Sequence, residues 1–282
     1  MKKSINNRNI GAVIFLCLSM IMCWPRNVLS AEQNVIQCDS FMVENPRICD
    51  IDSTIKLLRE TNKSFARISD GELREILGEG EPFQKPSERL TTRLKDVLYS
   101  DNPNIMIGIP SQLFYLKGYK ALEIRFWTEW KHKFMPLLED LNADQVYYPS
   151  VISALSERIA NKEKIEDYFV KIRTIWQDKD VHLIHGKGIF DSLQYDVFDN
   201  AKSVTHQIAP NRNAFEEYDA ILAEALKVDK NKLIVIVLGP TATVLAYDLG
   251  LNGYKALDMG HIAKAYDRYK RAWKDPHFWD PD

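Results

Sequence analysis

The run Leu233-Ile234-Val235-Ile236-Val237-Leu238 constrains the fold more than any other part of the chain. Six consecutive apolar residues, four of them β-branched, leave no face for water. The segment therefore reads as a strand covered on both sides, as in a parallel sheet. Gly239-Pro240-Thr241 breaks the run and opens a helix over 242–251, and Tyr254 to Leu257 returns as a strand. A strand, a helix and a second strand in so few residues is the βαβ unit of an α/β protein.

The rest of the chain repeats that alternation. Helical spacing is expected over 51–60, 87–99, 118–140 and 152–176, the last as one or two helices. A short apolar strand falls at 104–109, further short strands at 64–68, 181–185 and 203–208, and a helix runs through Leu226. Residues 79–86, rich in Gly, Pro and charge, read as a loop. Phe126, Trp127, Trp130 and Phe134 recur at three and four residues, the pattern of a packed helix face. The order predicts a Rossmann-like, mainly parallel sheet with helices on both faces.

The first 31 residues are set apart. Lys2, Lys3 and Arg8 precede an uncharged, mostly apolar run over residues 10–24, followed by Pro25, Arg26 and the small pair Ser30-Ala31. That is the layout of a secretory signal peptide cleaved after Ala31, or of an uncleaved anchor holding the protein to a membrane through residues 10–24. Either places the protein in the secretory pathway or at a membrane. A 32–50 extension and one domain over 51–282 would follow. Beyond the leader the chain carries 33 basic and 39 acidic residues, a net charge of −6, which argues against a nucleic-acid partner. Cys38 and Cys49 are the only cysteines outside the leader. In an exported protein they would form one disulfide, worth about 3 kcal/mol for so short a loop; two unpaired thiols are the alternative.

Polar residues collect just past the strand ends. Arg67-Ile68-Ser69-Asp70-Gly71-Glu72 puts two carboxylates on a strand-to-helix turn, with Gly71 allowing a tight bend. Two carboxylates there can share a divalent cation that bridges to a diphosphate, or can simply favour the positive end of a helix. His185-Gly186-Lys187, Asn211-Arg212, Gly239-Pro240-Thr241-Ala242-Thr243 and Asp258-Met259-Gly260-His261 end other strands. Lys187 could neutralise a diphosphate, and the Thr241 helix start suits an anion or serves as a plain N-cap. No P-loop, complete G-x-G-x-x-G, H-E-x-x-H or G-x-S-x-G is present.

Taken together, Phe65 to Glu72, Gly108-Ile109-Pro110, Leu238 to Leu249 and Gly253 to His261 resemble the bacterial GT-D fold glycosyltransferases, over about residues 50–270. The resemblance implies a metal-dependent enzyme moving a sugar from a UDP-sugar to a hydroxyl of a glycan or glycoprotein. Asp70 and Glu72 would hold Mn2+ (or Mg2+) against the diphosphate. Arg67, Gly71, Lys187, Gly239, Pro240, Thr241 and Thr243 would line the nucleotide-sugar site. Asp258, His261 and Asp248 are the candidates for a catalytic base, and inverting or retaining chemistry stays open. One departure stands out. Where the family pattern carries acids after Gly-His, this chain has Gly260-His261-Ile262-Ala263-Lys264-Ala265-Tyr266. A sugar-nucleotide or glycan-binding protein that lost catalysis is therefore one rival. A metal-dependent α/β hydrolase or phosphatase is another.

Overall fold

The computed structural model describes residues 37–161 and 163–274. The leader and its cleavage or anchoring lie outside them. Among the described residues no helix is long and apolar enough to cross a membrane.

The strands are β1 (Phe41–Val43), β2 (Ile48–Cys49), β3 (Ser64–Arg67), β4 (Ile105–Ile109), β5 (Tyr148–Pro149), β6 (Asp180–Gly186), β7 (Ser203–Ala209), β8 (Leu233–Val237) and β9 (Ala256–Asp258). The helices are α1 (Ile51–Glu60), α2 (Asp70–Ile76), α3 (Glu88–Leu98), α4 (Ala121–Phe134), α5 (Leu155–Arg158), α6 (Glu163–Arg173), α7 (Tyr218–Ala225), α8 (Pro240–Leu251) and α9 (Ile262–Lys274).

Strands β3 to β9 form one seven-stranded sheet in the order β5-β4-β3-β9-β8-β6-β7, every pair parallel. β8 is in the interior of that sheet, and Leu233 to Ile236 are all buried. Successive side chains of a strand point to opposite faces, so two separate cores result. Ile234 and Ile236 join one with α2, α3, α7 and α8, while Leu233 and Val235 join the other with α1, α6 and α9. β1 and β2 pair as a small antiparallel hairpin beside the main sheet, and a disulfide joins Cys38 to Cys49 across it.

Local differences from the sequence reading have simple causes. The 118–140 helix is regular only over α4, because Pro136 turns the following residues into a 3-10 segment. The 152–176 stretch divides into α5 and α6 at the polar link around Asn161. β5, only two residues long, carries no period a sequence could display.

Candidate active site

β3 and β9 are neighbours, yet their chains leave on opposite faces: α2 enters one core and α9 the other. Between such carboxyl ends open α/β sheets leave a ligand crevice. Here it is a cavity of about 510 Å3. Arg67, Asp70, Gly71, Glu72, Gly260 and His261 form its middle. Gln112, Ser150 and Arg158 line the end beyond β4 and β5; Gly186, Gly239 and Pro240 line the end beyond β6 and β8.

The acidic pair lies inside the first turn of α2 rather than before it. Glu72 is buried, and its Oε2 accepts a 2.8 Å bond from the Ser69 backbone N–H, so it caps the helix as well as lining the cavity. Burial pushes its carboxyl up to about 7, against the pull of Arg67. Asp70 is only half-buried, and its partner is the neighbouring Ser69 hydroxyl at 3.3 Å. Gly71 does not adopt the left-handed conformation; its use is room. A Cβ there would lie 3.2 Å from the Glu81 carboxyl carbon.

Beneath this turn Arg67 is clamped to Asp258. Asp258 is fully buried, with Oδ1 3.7 Å from Arg67 Nε and 3.0 Å from the Gly260 N–H that donates to it. The Thr243 hydroxyl lies 3.2 Å from Asp258 Oδ2 and 3.0 Å from the Arg67 carbonyl, and donates to one of them. Burial raises the Asp258 pKa more than Arg67 lowers it. Burial also opposes the Arg67 charge, but Asp258, Glu72 and Asp70 together outweigh it and hold the guanidinium charged. Gly260, at φ +39°, makes this packing feasible, since a Cβ there would fall on the Arg67 guanidinium.

Several sequence candidates prove to be elsewhere. Asp258 is absent from the cavity wall and positions Arg67 instead of facing a ligand. Asp248 is about 12 Å along α8 from its start at Pro240, at 1.5 Å per residue, where it pairs with Arg93 and accepts a 2.6 Å bond from the Tyr218 hydroxyl. Thr241 and Thr243 are wholly buried because α8 packs between β3, β9 and α3, so only Gly239 and Pro240 of that helix start reach the cavity. Lys187 continues the β6–β7 ladder through its backbone N–H to the Ala209 carbonyl, and its side chain is exposed away from the cavity wall.

Of the proposed bases, His261 alone lines the cavity. Although the residue is exposed, the surrounding protein desolvates the ring enough to lower its pKa, and the positive charges of Arg67, Arg158 and Lys264 add to this against the pull of Glu157, so the ring is neutral near pH 7. Lys264 and Ala263 also line the cavity. Ala265 is buried in the core, and Asp267 accepts bonds from the Gln194 and Tyr195 N–H groups, so it does not replace the missing acids.

Gln112, Ser150, Glu123 and Arg158 were not singled out by sequence, yet all line the cavity, and Phe126 and Trp127 of the packed helix face line it too. Glu123 is buried, ion-paired with Arg158, and accepts a 3.2 Å bond from the Trp127 indole N–H. One signal was available. Pro110 and Pro149 each end a strand, and Gln112 and Ser150 fall within two residues of them.

Residues 65–276 match the family model described as glycosyltransferase GT-D fold. The chain is 33% identical over 225 residues to a probable glycosyl transferase, Gly, of Streptococcus gordonii, covering 79% of this chain and 33% of that protein. It is 28% identical over 255 residues to glycosyltransferase GlyD of Streptococcus pneumoniae serotype 4, covering 89% and 31%. It thus spans about a third of the length of these curated relatives. Among solved structures, a domain of unknown function 1792 described as having a distinct glycosyltransferase fold superposes with a TM-score of 0.76 at 29% identity, covering 81% of this chain and 84% of that one. A new glycosyltransferase of the same domain class from Streptococcus sanguinis gives 0.74 at 30% identity, covering 80% and 85%. With three quarters of its length matched by the family model and its sheet shared with these structures, the chain belongs to the GT-D fold glycosyltransferase family.

Proposed function

We propose that this protein is a glycosyltransferase that moves a sugar from a UDP-sugar to a hydroxyl of a glycan or glycoprotein, with a divalent cation, Mn2+ or Mg2+, at the diphosphate. The observation that carries this reading is the cavity itself, which brings Asp70, Glu72, Arg67 and Lys264 to one ligand-sized space at the carboxyl edge of the sheet. Carboxylates for a cation and cations for phosphate oxygens, side by side, are what a metal–diphosphate complex needs.

The donor set fits that cation. Asp70 and Glu72 both line the cavity, and of the Glu72 oxygens only Oε2 is engaged by the helix cap. Among the described residues no three His, Cys, Asp or Glu could enclose a metal alone, and nucleotide-bound Mg2+ typically uses one or two carboxylates, with phosphates and water completing the shell. Once bound, the cation would neutralise charge on the departing diphosphate. Arg67, held charged by its three acids, and Lys264, without an ion-pair partner among the described residues, would add to that stabilisation where negative charge grows. His261, neutral at the cavity wall, would accept the proton of the attacking hydroxyl.

Ala263, an alanine rather than an acid at the cavity, favours a second reading: a protein that binds the sugar nucleotide without turning it over. Calorimetric titration of the full chain with UDP, with and without Mn2+, tests the donor site. The expected result is binding that Mn2+ strengthens; no binding at millimolar UDP would sink the UDP-sugar reading. Release of UDP from a UDP-sugar on adding acceptor glycans separates enzyme from binder.

A further inference from the structure

We propose that the transferred sugar occupies the cavity end beyond β4 and β5, with its hydroxyls held by Gln112 and Ser150, and that this sugar is an uncharged pyranose. The inference rests on the UDP-sugar reading above and adds the direction in which the donor lies. Gln112 is 3% exposed and Ser150 0%, both line the cavity, and neither Gln112 Oε1 nor Ser150 Oγ has a hydrogen-bond partner. Buried polar atoms in native proteins are nearly always paired, and these two border an open space from which a ligand can supply the partner. A carboxamide and a hydroxyl both donate and accept without charge, which suits sugar hydroxyls better than phosphate oxygens.

Position points the same way. Arg67 Nη1 donates at 3.4 Å to the Ser150 carbonyl, so this end adjoins the guanidinium assigned to the diphosphate. A sugar bonded to that diphosphate would have its ring there. The wall opposite is fixed and electrically balanced: Arg158 pairs with Glu123, whose other oxygen accepts from the Trp127 indole N–H. An aromatic body beside paired polar groups suits the mixed CH and OH surface of a neutral sugar. At the other end the cavity is lined by Ile189, Pro210, Ala214, Leu238, Gly239 and Pro240, a largely apolar wall fit for a nucleoside. The donor would then run along the carboxyl edge of the sheet, nucleoside beyond β6 and β8 and sugar beyond β4 and β5.

The test is a titration of the full chain, in Mn2+, with UDP, with the UDP-hexoses and UDP-N-acetylhexosamines, and with UDP-glucuronate. The wild type is expected to bind at least one neutral UDP-sugar more tightly than UDP, and UDP-glucuronate at least tenfold more weakly than that sugar. In Gln112→Leu/Ser150→Ala, and more mildly in Ser150→Ala alone, the gain over UDP is expected to disappear while UDP itself binds as before. A wild type with no gain for any neutral sugar, variants that keep the gain, or UDP-glucuronate bound as tightly as the best neutral sugar would each overturn the assignment. Absence of UDP binding altogether would overturn the underlying donor reading, a result distinct from the other three.

Discussion

The turn after β3 and the turn after β8 are built alike and behave differently. Each carries a parallel strand into a helix at the carboxyl edge of the sheet, and each holds polar residues suited to a nucleotide. After β3 the side chains of Arg67, Asp70 and Glu72 reach the cavity; after β8 only Gly239 and Pro240 do, and the Thr241 and Thr243 hydroxyls are buried. The reason is where the helices run. α2 is short and its first turn forms the cavity wall, whereas α8 lies in the interior against β3, β9 and α3. A polar residue at a helix start serves a ligand only if the first turn stays open; enclosed, it becomes part of the scaffold.

The contrast can be strained by mutation. The largest effect is expected at Arg67→Met, which leaves Asp258 buried without its counter-charge and should cost about 3–5 kcal/mol in urea unfolding, so the β3 turn would prove structural as well as functional. Glu75 on α2, buried with neither oxygen hydrogen-bonded and pushed up to about 7 by burial and by Glu81, tests the same turn through pH. Its folded-state pKa lies above the unfolded value, so its contribution is full below about 4.5 and is lost as pH rises through about 7. The wild type should therefore lose stability between pH 5 and 8, and Glu75→Gln should be the more stable protein at pH 8 by about 1–2 kcal/mol. Asp70→Ala should leave the melting temperature unchanged but weaken Mn2+-dependent UDP binding about tenfold, or about 1.4 kcal/mol. At the other turn, Thr243→Val removes a buried hydroxyl bond and should cost about 1 kcal/mol of stability with no change in UDP affinity. Thr241→Val, where the hydroxyl has no partner, should be neutral or slightly stabilising, within about 0.5 kcal/mol; a large loss of UDP binding there would break the comparison.

What was legible in the chain follows the same division. β8 and β4 announce themselves because a buried parallel strand needs an unbroken apolar run, whereas the edge strand β7, mostly polar and largely not buried, is legible only as a short segment between breaks. Asp70 and Glu72 are legible as a pair at a strand-to-helix turn, although the same pattern also serves a helix start, as Glu72 does by capping α2. Asp258, a candidate base by sequence, is the anchor of Arg67, a distinction that depends on the long intervening chain folding back to bring β9 against β3. Gln112 and Ser150 escaped notice since a neutral side chain after a strand is ordinary until its surroundings are seen to leave it unpaired.

The sequence by itself determined the α/β class, the parallel sheet and the set of strand ends from which any ligand site had to be drawn, because apolar periodicity and strand-breaking Gly and Pro are local properties. The tertiary structure alone decided which of those polar groups face the cavity and which face the protein. That choice rests on burial: the same carboxylate or hydroxyl is a ligand group where it meets open space and a structural one where a neighbouring strand or helix, distant in sequence, closes over it.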